Sequence, residues 1–518
     1  MTIMATRHTR RSWSGEEGIA LVLAMFMVLI VSLLGASLAT VGRTETMSSL
    51  NYKTMSQARY AAESGLHSAA NYLIHTYEPP GVDAGDALAN YDVTKSPVEF
   101  MGDPVVLTTV EGEDSNYPVA AKINAFEVDA HGELKMSRTE TTYSATATLL
   151  SMRQFPDAYS GGNVTIQTWQ ITGVGELEGA GAAAVQVSAI IETQAVPAFR
   201  YAAFANKNGC SALKFGGGGS TDSYDSTDPL VAGAPAVDPS GGNVGTNGNL
   251  DENGGAGTII KGTLSTPRGG VGACTANNVT ALTIAGKASV KDGLVKLPQE
   301  VKWKTPAAIS PTPPLTDTGL SKTGGCPGIV GGVNLSPFCA AGAAVGPLTP
   351  LIFTPTNSST VVSMGDVTLN AGAVVHLNAG IYEINSLQVN GNADIVIDSG
   401  PVVIRVNGLA DDGTELPVPI NLTGGAITNT SFKPENLQIV YGGAGEVKLN
   451  GGSKTAALVY APNAGVTLLG GSDFYGAVVG STIYDQGGTK IHYDVNLESW
   501  AYTEGNPTMT SFTWSSSN

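Results

Sequence analysis

The sequence predicts a long N-terminal transmembrane α-helix, an α+β head behind it, and a mainly-β solenoid of the β-helix kind. Three observations predict this order. No charged residue falls between Glu17 and Arg43. Beyond residue 82, short β-branched runs alternate with glycine-containing turns. In the last third, short segments recur at intervals near 20 residues, the period of stacked coils.

The uncharged run from Gly18 to Gly42 holds about 25 positions and spans roughly 37 Å as a helix, more than the ~30 Å of a hydrocarbon core. A secretory signal would be shorter and would end at a small-residue cut site. Arg7, Arg10 and Arg11 precede the run, so its start is predicted to face the cytoplasm and everything after Gly42 the outside. Only 14% of the 518 residues are charged and 65 are glycine, a composition of exported strand-and-turn protein rather than of a cytosolic α/β enzyme. The net charge of −17 argues against a nucleic-acid partner, because phosphate binding needs clustered Lys and Arg.

The helix is predicted to continue past the membrane. Met47, Leu50, Met55, Ala58, Ala62, Leu66, Ala69 and Leu73 approximate one helical face, with Arg43, Glu45, Lys53, Arg59 and Glu63 opposite. Pro79-Pro80-Gly81 then breaks it. The segment from Gly18-Ile-Ala-Leu-Val-Leu to Gln57-Ala-Arg-Tyr-Ala-Ala-Glu-Ser-Gly-Leu66 resembles the N-terminal region of PilX-type minor pilins of type IV pili. It is also similar to the K-type minor pseudopilins of type II secretion. The resemblance implies that a prepilin peptidase cuts after Gly18 and that Ile19, then methylated, becomes the mature N-terminus. Most pilins carry Glu at mature position five; this chain has Leu23 there. A carboxylate at that depth is costly in lipid unless paired, and pilins set it against a neighbour's N-terminal amine. Leu23 therefore implies a rare, initiating or tip position.

Residues 79–197 read as a β-rich, pilin-like head. Val98–Phe100, Val105–Val110, Ile123–Val128, Thr139–Leu149, Val164–Ile171 and Val185–Glu192 are strand-like, and Ser160–Gly162 and Gly179–Gly181 are turn-like. Residues 198–497 read as the solenoid. Val447-Lys-Leu-Asn-Gly-Gly-Ser returns as Val466-Thr-Leu-Leu-Gly-Gly-Ser, and Val367-Thr-Leu-Asn-Ala as Leu387-Gln-Val-Asn-Gly. Coils are expected from about 200 to 290 and 350 to 497, with a Pro-rich insertion near 297–350 between them. Ala457–Gly465, Phe474–Gly480 and Ile491–Asp494 look like the repeat domain fused to PilX-type N-termini in large pilus-associated proteins. Residues 1–18 are then the leader, 19–78 the helix and 498–518 a C-terminal tail.

Candidate sites are few. Cys210, Cys274, Cys326 and Cys339 all fall on the predicted outer side and form no CxxC pair. Three disulfide connectivities are open; Cys210–Cys274 with Cys326–Cys339 is favoured, and partly free thiols are the alternative. His8, His67, His75, His131, His376 and His492 share no metal-ligand spacing. His492 and Asp494 fall on one strand face and read as a structural pair. Asp222, Asp225 and Asp228, and Asp411-Asp412 with Glu415, match no calcium motif and read as acidic turns. The glycines of 173–181 and 216–219 fit no phosphate-binding fingerprint and read as turns. No metal and no cofactor is predicted.

The expected function is a non-enzymatic minor pilin or tip-associated subunit for pilus assembly and adhesion. It is held first in the inner membrane and then in the pilus at the cell surface. Its implied partners are prepilin peptidase, other pilins and assembly proteins, and host or surface glycans or proteins. Two other readings stay open. One is a membrane-anchored, polysaccharide-active β-helix enzyme, for which Arg405 near Asp398 is a weak signal. The other is a minor pseudopilin of a type II secretion system.

Overall fold

The computed structural model describes residues 17–81, 86–136, 139–157, 159, 163–177, 182–253, 257–286, 288–315, 320–321, 325–326, 329–330, 333–334, 342–450, 455–505 and 507–517. The leader up to residue 16 and the two turns expected at 160–162 and 179–181 lie outside them. The chain divides into two units. The first comprises Met1–Met152, Gln167–Glu192 and Thr508–Asn518, and the second Arg153–Ile166 and Thr193–Pro507.

Helix α1, Glu17–His75, dominates the first unit; its 59 residues extend about 90 Å. The helix ends within five residues of Pro79-Pro80, as those prolines require. From Ala58 onward its inner face is buried: Ala58, Ala61, Ala62, Leu66, Ala69 and Leu73. They lie against a sheet ordered Val106–Thr108, Thr139–Pro156, Asn163–Leu177, Ala183–Glu192 and Thr508–Ser517, with Gly132–Met136 paired to the second strand.

Gly173 and Gly175 are not in a turn. They sit inside the strand Asn163–Leu177 and face α1 at backbone distance. A Cβ at Gly173 would overlap the carbonyl of Ala62, and one at Gly175 the carbonyl of Ala58. Alternation puts them on the face of Trp169 and Ile171, so the sheet approaches the helix where the strand lacks side chains and the helix carries alanines at 58, 61 and 62.

Ile123–Val128, expected as a strand, is instead part of helix α2, Ala120–Asp129. Only Phe126 of this helix is buried; it meets the Tyr72 ring edge-on at 5.4 Å, while Val128 faces solvent. One inward aromatic per turn suffices for a helix, and that packing overrides the β-branched bias of Ile123 and Val128.

The second unit is built of parallel ladders. Val367 stands opposite Leu387, Val447 opposite Val466 and Val459 opposite Val478, offsets equal to the sequence repeats. The two expected coil regions form one continuous ladder. Ala203 pairs with Val478 on one side and Val244 on the other. One column therefore runs Leu294, Leu264, Val244, Ala203, Val478, Val459, Ile439, Ile404, Tyr382, Val362. At ~4.8 Å per strand it is roughly 43 Å long. All but the two end residues are buried, and each buried aliphatic contributes about 1.5–3 kcal/mol of transfer free energy. The chain thus enters at mid-ladder, builds outward to Leu294, crosses to the far end and returns.

The crossing is the Pro-rich segment. Its described residues from Val301 to Ala307 do not loop away but follow the ladder. Val301 donates its N–H to Asn247 Oδ1 at 2.8 Å, and Trp303 lies against Phe204 and Tyr460. Tyr460 Oη donates to the Lys304 carbonyl at 2.7 Å, and Arg405 Nη2 to that of Ala307 at 3.0 Å. Leu320 then pairs with Leu369. Prolines lack the N–H that joining a ladder requires, which suits a strap lying across one.

The described residues of the expected tail, 498–505 and 507–517, form strands and a short helical turn. Tyr502–Glu504 pairs antiparallel with Ala195–Pro197, and Thr508–Ser517 pairs antiparallel with Ala183–Glu192 in the first unit's sheet. A register shift between Met509 and Ser511 interrupts the alternation of that last strand, which hides it in the sequence.

Candidate functional site

The first half of α1 is uncovered by the other described residues. From Ile19 to Lys53 every residue is exposed, and the stretch to Val41 is long and apolar enough to cross a membrane. Its few polar groups are satisfied locally. Thr40, Thr44 and Thr46 donate their hydroxyls to the carbonyls of Ala36, Thr40 and Gly42, the usual back-bonding of threonine in a helix. Gly18 and Ile19 fall in the helix, and Leu23 presents a 62% exposed apolar side chain.

Behind α1 the first unit holds a polar cluster that sequence reasoning missed. Asp86 is fully buried. It accepts from Tyr91 Oη at 2.6 Å, Tyr117 Oη at 2.7 Å and Lys122 Nζ at 2.6 Å. Lys122 also donates to the Glu78 carbonyl, and Tyr77 Oη shares a 3.1 Å bond with Tyr117. Gln167 continues the chain of bonds from Tyr77 to Trp169. Burial pushes the hydroxyls of Tyr77, Tyr91 and Tyr117 far above their usual range, so they stay donors. Residues scattered from Tyr77 to Trp169 carry no spacing that would reveal such a cluster.

In the second unit a disulfide joins Cys210 to Cys274, closing a separation of 64 residues. Cys326 is also disulfide-bonded, and Cys339 lies outside the described residues. His492 shares a strand with Asp494, but its partner is Asp222 across the ladder, which also takes Lys261 Nζ at 3.0 Å. Register decides this, because Asp222 stands opposite His492 while Asp494 stands opposite Tyr224. Asp225 instead accepts from Thr227 and Asn496, so Asp222 and Asp225 do not converge on one point. Asp412 holds its own turn through Thr414, and Glu415 accepts from Ala444 N–H. Among the described residues no group of three His, Cys, Asp or Glu is arranged to hold a metal. Arg405 pairs with Glu383 at 2.7 Å and Asp398 with His376 at 2.8 Å, so the Arg405–Asp398 combination does not form.

Two acids stand apart. Glu252 and Asp485 flank Phe215 in register, one on each side, and both are fully buried. Neither Glu252 oxygen has a hydrogen-bond partner. Burial raises Glu252 from 4.5 to about 7 and Asp485 from 3.8 to about 6, the latter against opposing bonds from Thr489. The folded chain thus holds protons that the unfolded chain releases near pH 4–4.5. Stability from these groups is fully present below that pH and is lost as pH rises through about 6–7. Glu252→Gln is expected to raise stability at pH 8 by up to about 3 kcal/mol and to do little at pH 4, measured by urea unfolding at both values.

Three comparisons with known proteins bear on these features. Residues 17–67 match the PilX N-terminal family, and residues 355–500 match a domain of unknown function, DUF7305. No curated protein matches the chain. A solved structure, the competence-associated pilin ComZ from Thermus thermophilus, aligns over 90% of this chain and 98% of its own at 14% identity and a TM-score of 0.26. Folds that superpose so loosely do not inform each other.

Proposed function

We infer that this chain, a type IV pilin of the PilX type by its N-terminal region, is a tip-associated minor pilus subunit that is processed before assembly and presents a β-solenoid for adhesion. The observation that carries the reading is the coincidence of the family match at 17–67 with a helix whose first half, Ile19 to Val41, is apolar and wholly uncovered. Such a helix has two environments that fit it. It sits in the inner membrane first, and among the helices of other pilins afterwards, exchanging one apolar surrounding for another. Leu23 removes the charge that would hold a preceding subunit's amine, which supports a leading place in the filament.

The solenoid reading rests on the parallel pairing at 19- and 20-residue offsets. Its outward positions carry Asn, Ser and Thr between sparse charges, a surface suited to glycans or proteins. Prepilin peptidase cutting after Gly18 would leave Ile19, N-methylated, as residue one. The test is mass spectrometry of the chain recovered from sheared pili. A peptide starting at N-methyl-Ile19 is expected. An intact Met1, or absence of the chain from pili of a strain that expresses it, overturns the reading.

A further inference from the structure

The C-terminal strand Thr508–Ser517 is an edge of the first unit's sheet, and its apolar residues all fall on one face. Met509 stands opposite Ile191, Phe512 opposite Ala189 and Trp514 opposite Val187. Those three partners are buried on the face that α1 covers. The helix does not reach over the last strand. Met509 is 43% exposed, Phe512 45% and Trp514 57%, beside Arg59, whose guanidinium lies 5.5 Å from the Trp514 ring. On α1, Tyr52, Met55 and Arg59 share one stripe at three- and four-residue spacing, and Tyr52 and Met55 are exposed as well. The result is a half-groove, with the last strand as floor and α1 as its single wall.

Resting on the pilin reading, we propose that this half-groove receives the exposed middle stretch of α1 from a neighbouring pilin subunit. The groove continues the uncovered side of α1, whose apolar half must be covered by other helices once it leaves lipid. An occupant that covers Ile19–Val41 alongside α1 is carried onward past Tyr52 and Met55 to Phe512 and Trp514. A helix laid parallel to α1 at the usual 8–10 Å spacing falls over the last strand. The mating chemistry is present on such a helix: this chain's own exposed stretch has Met47, Leu50 and Tyr52 for the aromatic floor, while Arg59 is held in place by its 2.9 Å pair with Glu63. The strand's sequence position matters as well, because the chain leaves the second unit to build it and so completes the first unit's assembly face last.

The experiment uses the full chain in cells that make pili. A photo-crosslinking p-benzoylphenylalanine in place of Trp514 is expected to join a second pilin polypeptide, with the junction mapping to its N-terminal helix. Phe512→Ser with Trp514→Ser is expected to lower the subunit's share in sheared filaments at least tenfold relative to its membrane level, the ratio that corrects for packing lost from two side chains that are about half buried. A crosslink to a non-helical segment, no crosslink, or unchanged filament recovery of the double variant overturns the docking face alone. Absence of the wild-type chain from filaments overturns the pilin reading with it.

Discussion

Gly175→Val will lift the first unit's sheet off α1 and cost about 3 kcal/mol, the upper end of the overpacking range. The new side chain meets the Ala58 carbonyl and the Ala62 N–H of a helix whose backbone bonds fix it in place. Neither a rotamer change nor a flexible neighbour relieves that overlap. Gly173→Val meets the Ala62 carbonyl and Leu66 in the same way. Hydrogen exchange at residues 163–192 and along α1 from 58 to 73 should rise together in either variant. Unchanged protection in both segments would show that the sheet does not rest on the helix at these glycines.

The second large effect is at Asp86. Asp86→Ala leaves the Lys122 ammonium in a mostly buried place with only the Glu78 carbonyl, and two tyrosine hydroxyls without their acceptor. Removing one partner of a buried pair costs about 3–5 kcal/mol, most of it the desolvated charge left behind. Adding Lys122→Met removes that charge, so the double variant should recover a large part of the loss. Urea unfolding followed by far-ultraviolet circular dichroism measures both. Equal loss in the single and double variants would mean that the tyrosines, and not the ion pair, carry the cluster.

What was legible in the sequence had a period or a run. The apolar segment after Gly18 and the helical stripe to Leu73 follow from charge spacing alone, and α1 runs over Glu17–His75. The recurrences at 19 and 20 residues appear as register partners, since equal offsets are what parallel stacking needs. Partnerships set by long-range register were not legible. His492 with Asp222 and the Asp86 cluster join residues separated by up to 270 positions, and no local pattern marks them. Gly173 and Gly175 read as turn residues because glycine alone does not tell a bend from a close approach. Ile123–Val128 read as a strand because the inward Phe126 is one residue among several with β preference. The closure of Ala203 on Val478 was hidden for the same reason as His492: the strands that meet at mid-ladder lie far apart in the chain.

That closure decides how the second unit bears tension. On the longer of its two visits, the chain enters this unit at Thr193 and leaves at Pro507. Just inside those points, Ala195–Pro197 and Tyr502–Glu504 are clamped antiparallel, and Ala203–Ala205 lies beside Val478–Gly480. A pull applied through the two polypeptide connections is therefore shared between them and borne by the middle of the ladder. The coils out to Leu294 and to Val362 lie off the loaded path. Strands outside that path keep their shape under a stretch that strains the clamp.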